Sequence, residues 1–186
     1  LMSQSNQGAQ LQNRVPQSIG FLLLDNFTLI SLASAVEPLR MANQLSGKEL
    51  YRWHTLTHDG QPVCASDGLK ITPDASIASA PALSAVIVCG GVDIQRSVTR
   101  EHVQWLQAQA RQGRQLGAVC TGSWALAKAG LLDGYDCSVH WEFLAAMQEA
   151  FPRAAITTRL FSIDRNRNTS SGGTAPMDMM LHLIGR

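Results

Sequence analysis

At 186 residues and 20.1 kDa, with a formal net charge of +1, the chain is sized for one compact domain. Charged residues make up 16% of it, against about 25% in a typical soluble domain, so part of its surface is expected to be covered by another subunit or by the rest of a longer protein. The 45% apolar content excludes a disordered chain, the dispersed Arg and Lys leave no stripe for a phosphate backbone, and no apolar run approaches the about 18 residues of a membrane helix.

Residues 1–18 are rich in Gln, Ser and Asn and read as a flexible leader, not a secretory signal, which makes a cytoplasmic location the expectation. Residues 19–186 read as a single domain. Ile19 to Asp25 is a continuous apolar run, the pattern of a strand buried on both faces. A helix follows to about Asn43, with Leu29, Leu32, Ala33, Val36 and Arg40 on one side, Pro38 predicting a kink or a late start, and Gly47 as its stop. Tyr51 to Asp59 reads as a second strand, and short strand pieces fall around Leu69 to Thr72.

Ala85 to Cys89 is another buried strand, ending in Gly90 and Gly91. Thr99 is a plausible N-cap for a helix with Val103, Leu106 and Ala110 inward and Gly113 at its end. Gln115 to Cys120 is the next strand and Ser123 to Ala129 the next helix. A strand-like piece follows at Cys137 to Val139, then a helix from Trp141 to Phe151, strand material from Ala155 to Ile163 and a polar turn from Asp164 to Asn168. Thr174 caps a last helix with Met177, Met180, Leu181 and Ile184 inward. This alternation predicts an α/β fold: a doubly wound, mostly parallel sheet flanked by helices on both faces.

Ligands of such sheets collect beyond the carboxyl ends of the strands. Cys120 sits where a strand turns into a helix within a few residues, as in a nucleophile elbow, and the amino end of that helix would favour thiolate. Gly90 and Gly91 let the backbone approach a ligand, although a tight turn explains them as simply. His140 follows 20 residues after Cys120 at the end of the next strand-like piece, within reach for a Cys/His pair, unless it is a buried histidine bonded to backbone. Trp141 and Phe143 beside it could pack inward or form a wall for a cationic ligand. The four cysteines contain no C-x-x-C pair and His54 and His58 lack a third ligand, so neither a metal site nor a cofactor is called for. Glu37 and Arg40 read as a helix ion pair, and Arg159, Arg165 and Arg167 as a solvated face.

The run Val86-Ile87-Val88-Cys89-Gly90-Gly91, the run Ala118-Val119-Cys120-Thr121-Gly122 and His140 together resemble the ThiJ/PfpI superfamily, related to class I glutamine amidotransferases. Three further segments narrow the likeness: Phe27 to Asn43, containing the run from Ala33 to Arg40; Ser138-Val139-His140-Trp141-Glu142; and Thr169 to Asp178 leading into Leu181 to Ile184. In order and spacing they are similar to the amino-terminal domain of GlxA-type AraC-family transcription regulators. The resemblance implies a flavodoxin-like fold and an effector such as arginine, glycine betaine, dimethylglycine or carnitine. It also implies DNA binding only through a carboxy-terminal helix-turn-helix domain outside this chain, and the low charge content makes a homodimer the expectation.

By the same resemblance, Cys120 matches the nucleophile, Thr121 and Gly91 the backbone donors around it, and His140 the neighbouring histidine. Ser31 stands where the enzymes place a carboxylate, and Asp25 or Glu37 could replace it only by reaching the pocket. The leading expectation is therefore a sensor that has lost its catalysis, with Gly91, Cys120, Thr121, His140, Trp141, Phe27 and Trp124 around the ligand. The alternative is a hydrolase, amidase or hydratase using Cys120 and His140, and a domain that only dimerises is the third reading.

Overall fold

The structure is a computed structural model and describes residues 15–185; most of the expected leader lies outside the described residues. The first strand, β1 (Gln17–Leu23), begins two residues before Ile19 and so takes in the last two residues of the expected leader. It is followed by α1 (Leu29–Ser46), β2 (Tyr51–Thr57), a small ladder of β3 (Val63–Cys64) with β4 (Lys70–Ile71), and β5 (Ala75–Ser76). Then come β6 (Ala85–Cys89), α2 (Ile94–Ser97), α3 (Arg100–Arg111), β7 (Gln115–Val119), α4 (Ser123–Lys128) and β8 (Asp136–Ser138). The 3₁₀ turn Trp141–Phe143, α5 (Leu144–Ala150), β9 (Ala155–Thr157), β10 (Phe161–Asp164), β11 (Arg167–Ser170) and α6 (Ala175–Ile184) complete the order.

The central sheet has seven strands in the order β10-β11-β7-β6-β1-β2-β5. Every pairing is parallel except the hairpin of β10 with β11, so the mostly parallel α/β sandwich stands. Alternation along the strands divides the core into two. Leu22, Val86, Val88, Leu116 and Ala118 pack under α2 to α5 through Ile94, Leu106, Leu126 and Met147, while Ile19, Phe21, Ile87 and Val119 pack under α1 and α6 through Leu32, Leu39, Met179 and Met180. Burial on both faces is why these strands read as unbroken apolar runs.

Several elements differ from the sequence reading. The helix α1 runs through buried Pro38 from an early start at Leu29 and ends at Gly47 in the left-handed conformation; its buried face is Ser31, Leu32, Ser34, Ala35, Pro38 and Leu39, leaving Ala33 and Arg40 exposed. The piece before His140 is not a strand of the main sheet, because β8 pairs with β9 in a ladder of its own. The helix expected from Trp141 opens as a 3₁₀ turn, and the turn expected from Asp164 to Asn168 is confined to Arg165 and Asn166, because Arg167 and Asn168 already belong to β11, an inner strand. Arg167 lies on that strand, 6% exposed, with its Nε donating to the Leu131 carbonyl (2.8 Å) and its guanidinium near the Tyr135 ring, so only Arg159 and Arg165 of the three arginines are solvated. In α6 the inward residues are Ala175, Pro176, Met179 and Met180, whereas Met177 and Leu181 face out, and Thr174 makes no side-chain cap.

Candidate functional site

The parallel sheet gathers the ends of β1, β6 and β7 in one place. Leu24 donates its N–H to the Cys89 carbonyl (3.2 Å), and Thr28 donates to Gly90 (3.1 Å), which ties the start of α1 to the end of β6. Phe27 and Gly91 form an isolated antiparallel bridge, and a Cβ on Gly91 would collide with the Asn26 carbonyl, so glycine is required there. One strand further on, the corner between β7 and α4 is made by Cys120 with φ +59°, a left-handed conformation that costs a non-glycine residue on the order of 1 kcal/mol or more. Neighbours hold it in place: the Cys120 N–H donates to the Ser171 carbonyl (3.3 Å), and the Cys120 carbonyl accepts from the His140 N–H (2.9 Å).

The Cys120 thiol is 4% exposed, in contact with the Thr28 hydroxyl at 3.4 Å. Burial pushes it above its ordinary pKa; the bonds from Thr28 and from the Thr121 N–H pull it back, and the nearby Glu142 carboxylate pushes it up again. The thiol is therefore protonated near neutral pH, against the thiolate expected from the helix end. His140 accepts the Glu142 N–H at Nδ1 (3.2 Å), so its neutral ring carries the proton on Nε2. That tautomer presents a donor at Nε2, where a base for the thiol would need a lone pair. Gly172 lies against both groups: a Cβ there would stand 2.6 Å from His140 Cδ2 and 3.3 Å from Cys120 Sγ.

None of the three residues considered for the acid reaches the thiol. Ser31 is fully buried and donates its hydroxyl to the Gly173 carbonyl (3.3 Å), Glu37 is exposed and paired with Arg40 Nε (2.7 Å), and exposed Asp25 acts on His102. Their place beside the sulfur is taken by Thr28.

Around Cys120 lies a cleft of about 520 Å³, lined by Thr28, Gly91, Val92, Asp93, Ile94, Gln95, Arg96, Cys120, Thr121, His140, Glu142 and Phe143. Sequence reasoning named Gly91, Cys120, Thr121 and His140 for it, and the structure brings these four together. Trp141 stacks on His140 (centroids 5.8 Å apart, 25° between planes) but stands 75% exposed and is not among the lining residues. Phe27 and Trp124 lie elsewhere: Phe27 is wholly buried in the core, and Trp124 packs edge-on against Phe143 and Phe151. Phe143 lines the cleft from that same aromatic group.

Seven lining residues escaped the sequence reading: Thr28, Val92, Asp93, Ile94, Gln95, Arg96 and Glu142. Asp93 and Arg96 lie two and five residues past Gly91, and Glu142 follows His140 by two residues, all beyond the strand-end residues that sequence reasoning singled out. Chemically, the cleft offers carboxylates at Asp93 and Glu142, a guanidinium at Arg96, and the Phe143 ring. Among the described residues, no three His, Cys, Asp or Glu side chains gather as a metal would require.

Comparison with known proteins places these features in context. The DJ-1/PfpI family model matches residues 17–186. The chain is 84% identical over 179 residues to the HTH-type transcriptional regulator GbdR of Pseudomonas aeruginosa, covering 96% of this chain and 49% of that protein. It is 45% identical to the HTH-type transcriptional regulator CdhR of the same organism, covering 91% of this chain and 50% of that one. The chain thus spans about half the length of these curated relatives. An isonitrile hydratase of Pseudomonas putida is 30% identical over 89% of this chain and 69% of its own. Among solved structures, an AraC family transcriptional regulator from Pseudomonas putida superposes with a TM-score of 0.83 at 32% identity, covering 91% of each chain.

Proposed function

The chain belongs to the DJ-1/PfpI family, and from that premise we propose that it is the ligand-sensing domain of an AraC-family transcription regulator. Its effector is a small nitrogenous metabolite of the arginine, glycine betaine, dimethylglycine or carnitine type. The observation that carries the proposal is the cleft itself. It keeps the family's Cys120 corner but sets a protonated thiol against Thr28 in place of a carboxylate, and it surrounds that corner with both signs of charge.

A cationic head fits between Glu142 or Asp93 and the Phe143 ring, while Arg96 and the backbone around Gly91 and Thr121 face the carboxylate. Binding changes output only through a difference in affinity between two arrangements of the regulator. Its DNA-binding domain lies outside this chain, and it acts in the cytoplasm as a homodimer. Exposed Ile30, Met41 and Leu45 along α1, with Met177 and Leu181 on α6, are apolar surface that supports self-association.

The second reading, a cysteine-dependent hydratase, has the isonitrile hydratase relative in its favour. Iodoacetamide labelling near neutral pH separates the two. The sensor reading predicts slow alkylation of Cys120 and no turnover; rapid alkylation with a turnover that Cys120→Ala abolishes would establish the enzyme instead.

A further inference from the structure

A second cavity, of about 440 Å³, opens at the opposite end of the sheet from Cys120, beneath α1 and α6. Its walls are apolar on the helix side, through Leu39, Met180, Leu183 and Ile184, and amide-rich on the sheet side, through Gln17, Gln115 and Asn168. One lining residue carries a buried polar atom without a partner: Asn168 Oδ1, an acceptor on a residue 6% exposed. A buried acceptor is normally bonded, and a polypeptide, with one N–H per residue, carries the missing donor.

The helix α6 says which polypeptide. Its amino end is preceded by Gly172, pressed between Cys120 and His140, and by Gly173, which accepts from Ser31; its last residues, Leu183 and Ile184, form a wall of the second cavity. Whatever follows α6 in a protein of the relatives' length leaves the domain at the mouth of this cavity, and those relatives are about twice as long as this chain. We propose that the cavity is the docking site of the segment that directly follows α6, an extended stretch with apolar side chains alternating with free backbone amides. One rod then touches the effector cleft at one end and the docked segment at the other. This inference rests on the regulator reading, because it requires a second half of the protein.

Engineered thiols test it. Leu50→Cys and, independently, Gln17→Cys place a reporter on the cavity rim, each in a Cys64→Ser background because Cys64 is exposed. Alkylation is compared between the 186-residue chain, in which Cys89, Cys120 and Cys137 are buried, and the protein expressed from its whole reading frame, each against its own counterpart without the engineered thiol. The expected result is labelling at least tenfold slower in the longer protein at both positions, restored to the rate of the short chain by the cavity-filling Met180→Trp. Equal rates in the two proteins would overturn the docking site while leaving the regulator reading intact. Slowing that grows with concentration of the short chain alone would overturn it in favour of a second copy. A reading frame that stops at the end of this chain would remove both proposals together.

Discussion

The chemistry of the cleft turns on a few side chains whose surroundings, not their identities, decide what they do. Cys120 has the corner geometry of a nucleophile, yet burial holds its thiol above the ordinary range and only the Thr28 and Thr121 bonds pull it down. Thr28→Val should therefore move the midpoint of the alkylation profile of Cys120 to higher pH, with the fold retained; a midpoint that falls would show that Thr28 does not stabilise the sulfur's charge. Gly172 has no room for a methyl group between His140 and Cys120. Gly172→Ala should weaken effector binding by tenfold or more with little change in melting temperature, as read by calorimetry and circular dichroism. Cys120, Thr121, Gly91 and His140 were legible in the sequence because strand ends and glycine punctuation mark the ligand edge of a parallel sheet. Thr28 and Glu142 were not, since the first replaces a carboxylate with a residue of another chemical class and the second lies in a 3₁₀ turn that periodicity does not reveal.

Elements with a sharp local signal were read well, and elements without one were not. Thr99 does cap α3: its side chain accepts from the His102 N–H, and His102 Nδ1 in return accepts the Thr99 N–H at 3.0 Å. Thr99→Ala should cost about 1 kcal/mol in urea denaturation. His102 is 5% exposed, and burial, with help from His58, lowers its pKa to about 4 against the opposing pull of Asp25 and Glu101. A histidine with a depressed folded pKa is protonated first in the unfolded state. Stability is therefore complete above about pH 6.5 and is lost as pH falls toward 4, by on the order of 3 kcal/mol from this group. His102→Asn should flatten that part of the stability profile, and an unchanged slope between pH 6.5 and 4 would show that other groups carry it. In contrast, α6 is apolar on most of its circumference, so its sequence does not fix which face turns inward, and Met179 took the place assigned to Leu181. Arg167 misled for the opposite reason: a charge in a polar run reads as surface, but its Nε finds the Leu131 carbonyl and lets an inner strand carry it.

At the scale of the molecule, the doubly wound sandwich was legible because parallel strands and glycine-ended helices repeat one pattern, with the apolar runs recording burial on both faces. The separate β8-β9 ladder was not, since three-residue strands pair through tertiary context alone. The same sheet sets two cavities at its two ends, with α6 running between them, and this layout suits a domain that converts occupancy at one end into contact at the other. The central claim is that the Cys120 cleft reversibly binds a small molecule bearing a cationic nitrogen and a carboxylate. The direct measurement is a calorimetric titration of the chain with glycine betaine, dimethylglycine, carnitine and arginine, repeated on Trp141→Ala, Cys120→Ser, Glu142→Gln and Arg96→Gln. The account predicts one site per chain for at least one of these ligands, weakened tenfold or more by the Glu142 and Arg96 substitutions and measurably by the other two. Binding that all four variants leave unchanged, or no binding of any of the four ligands, would contradict it.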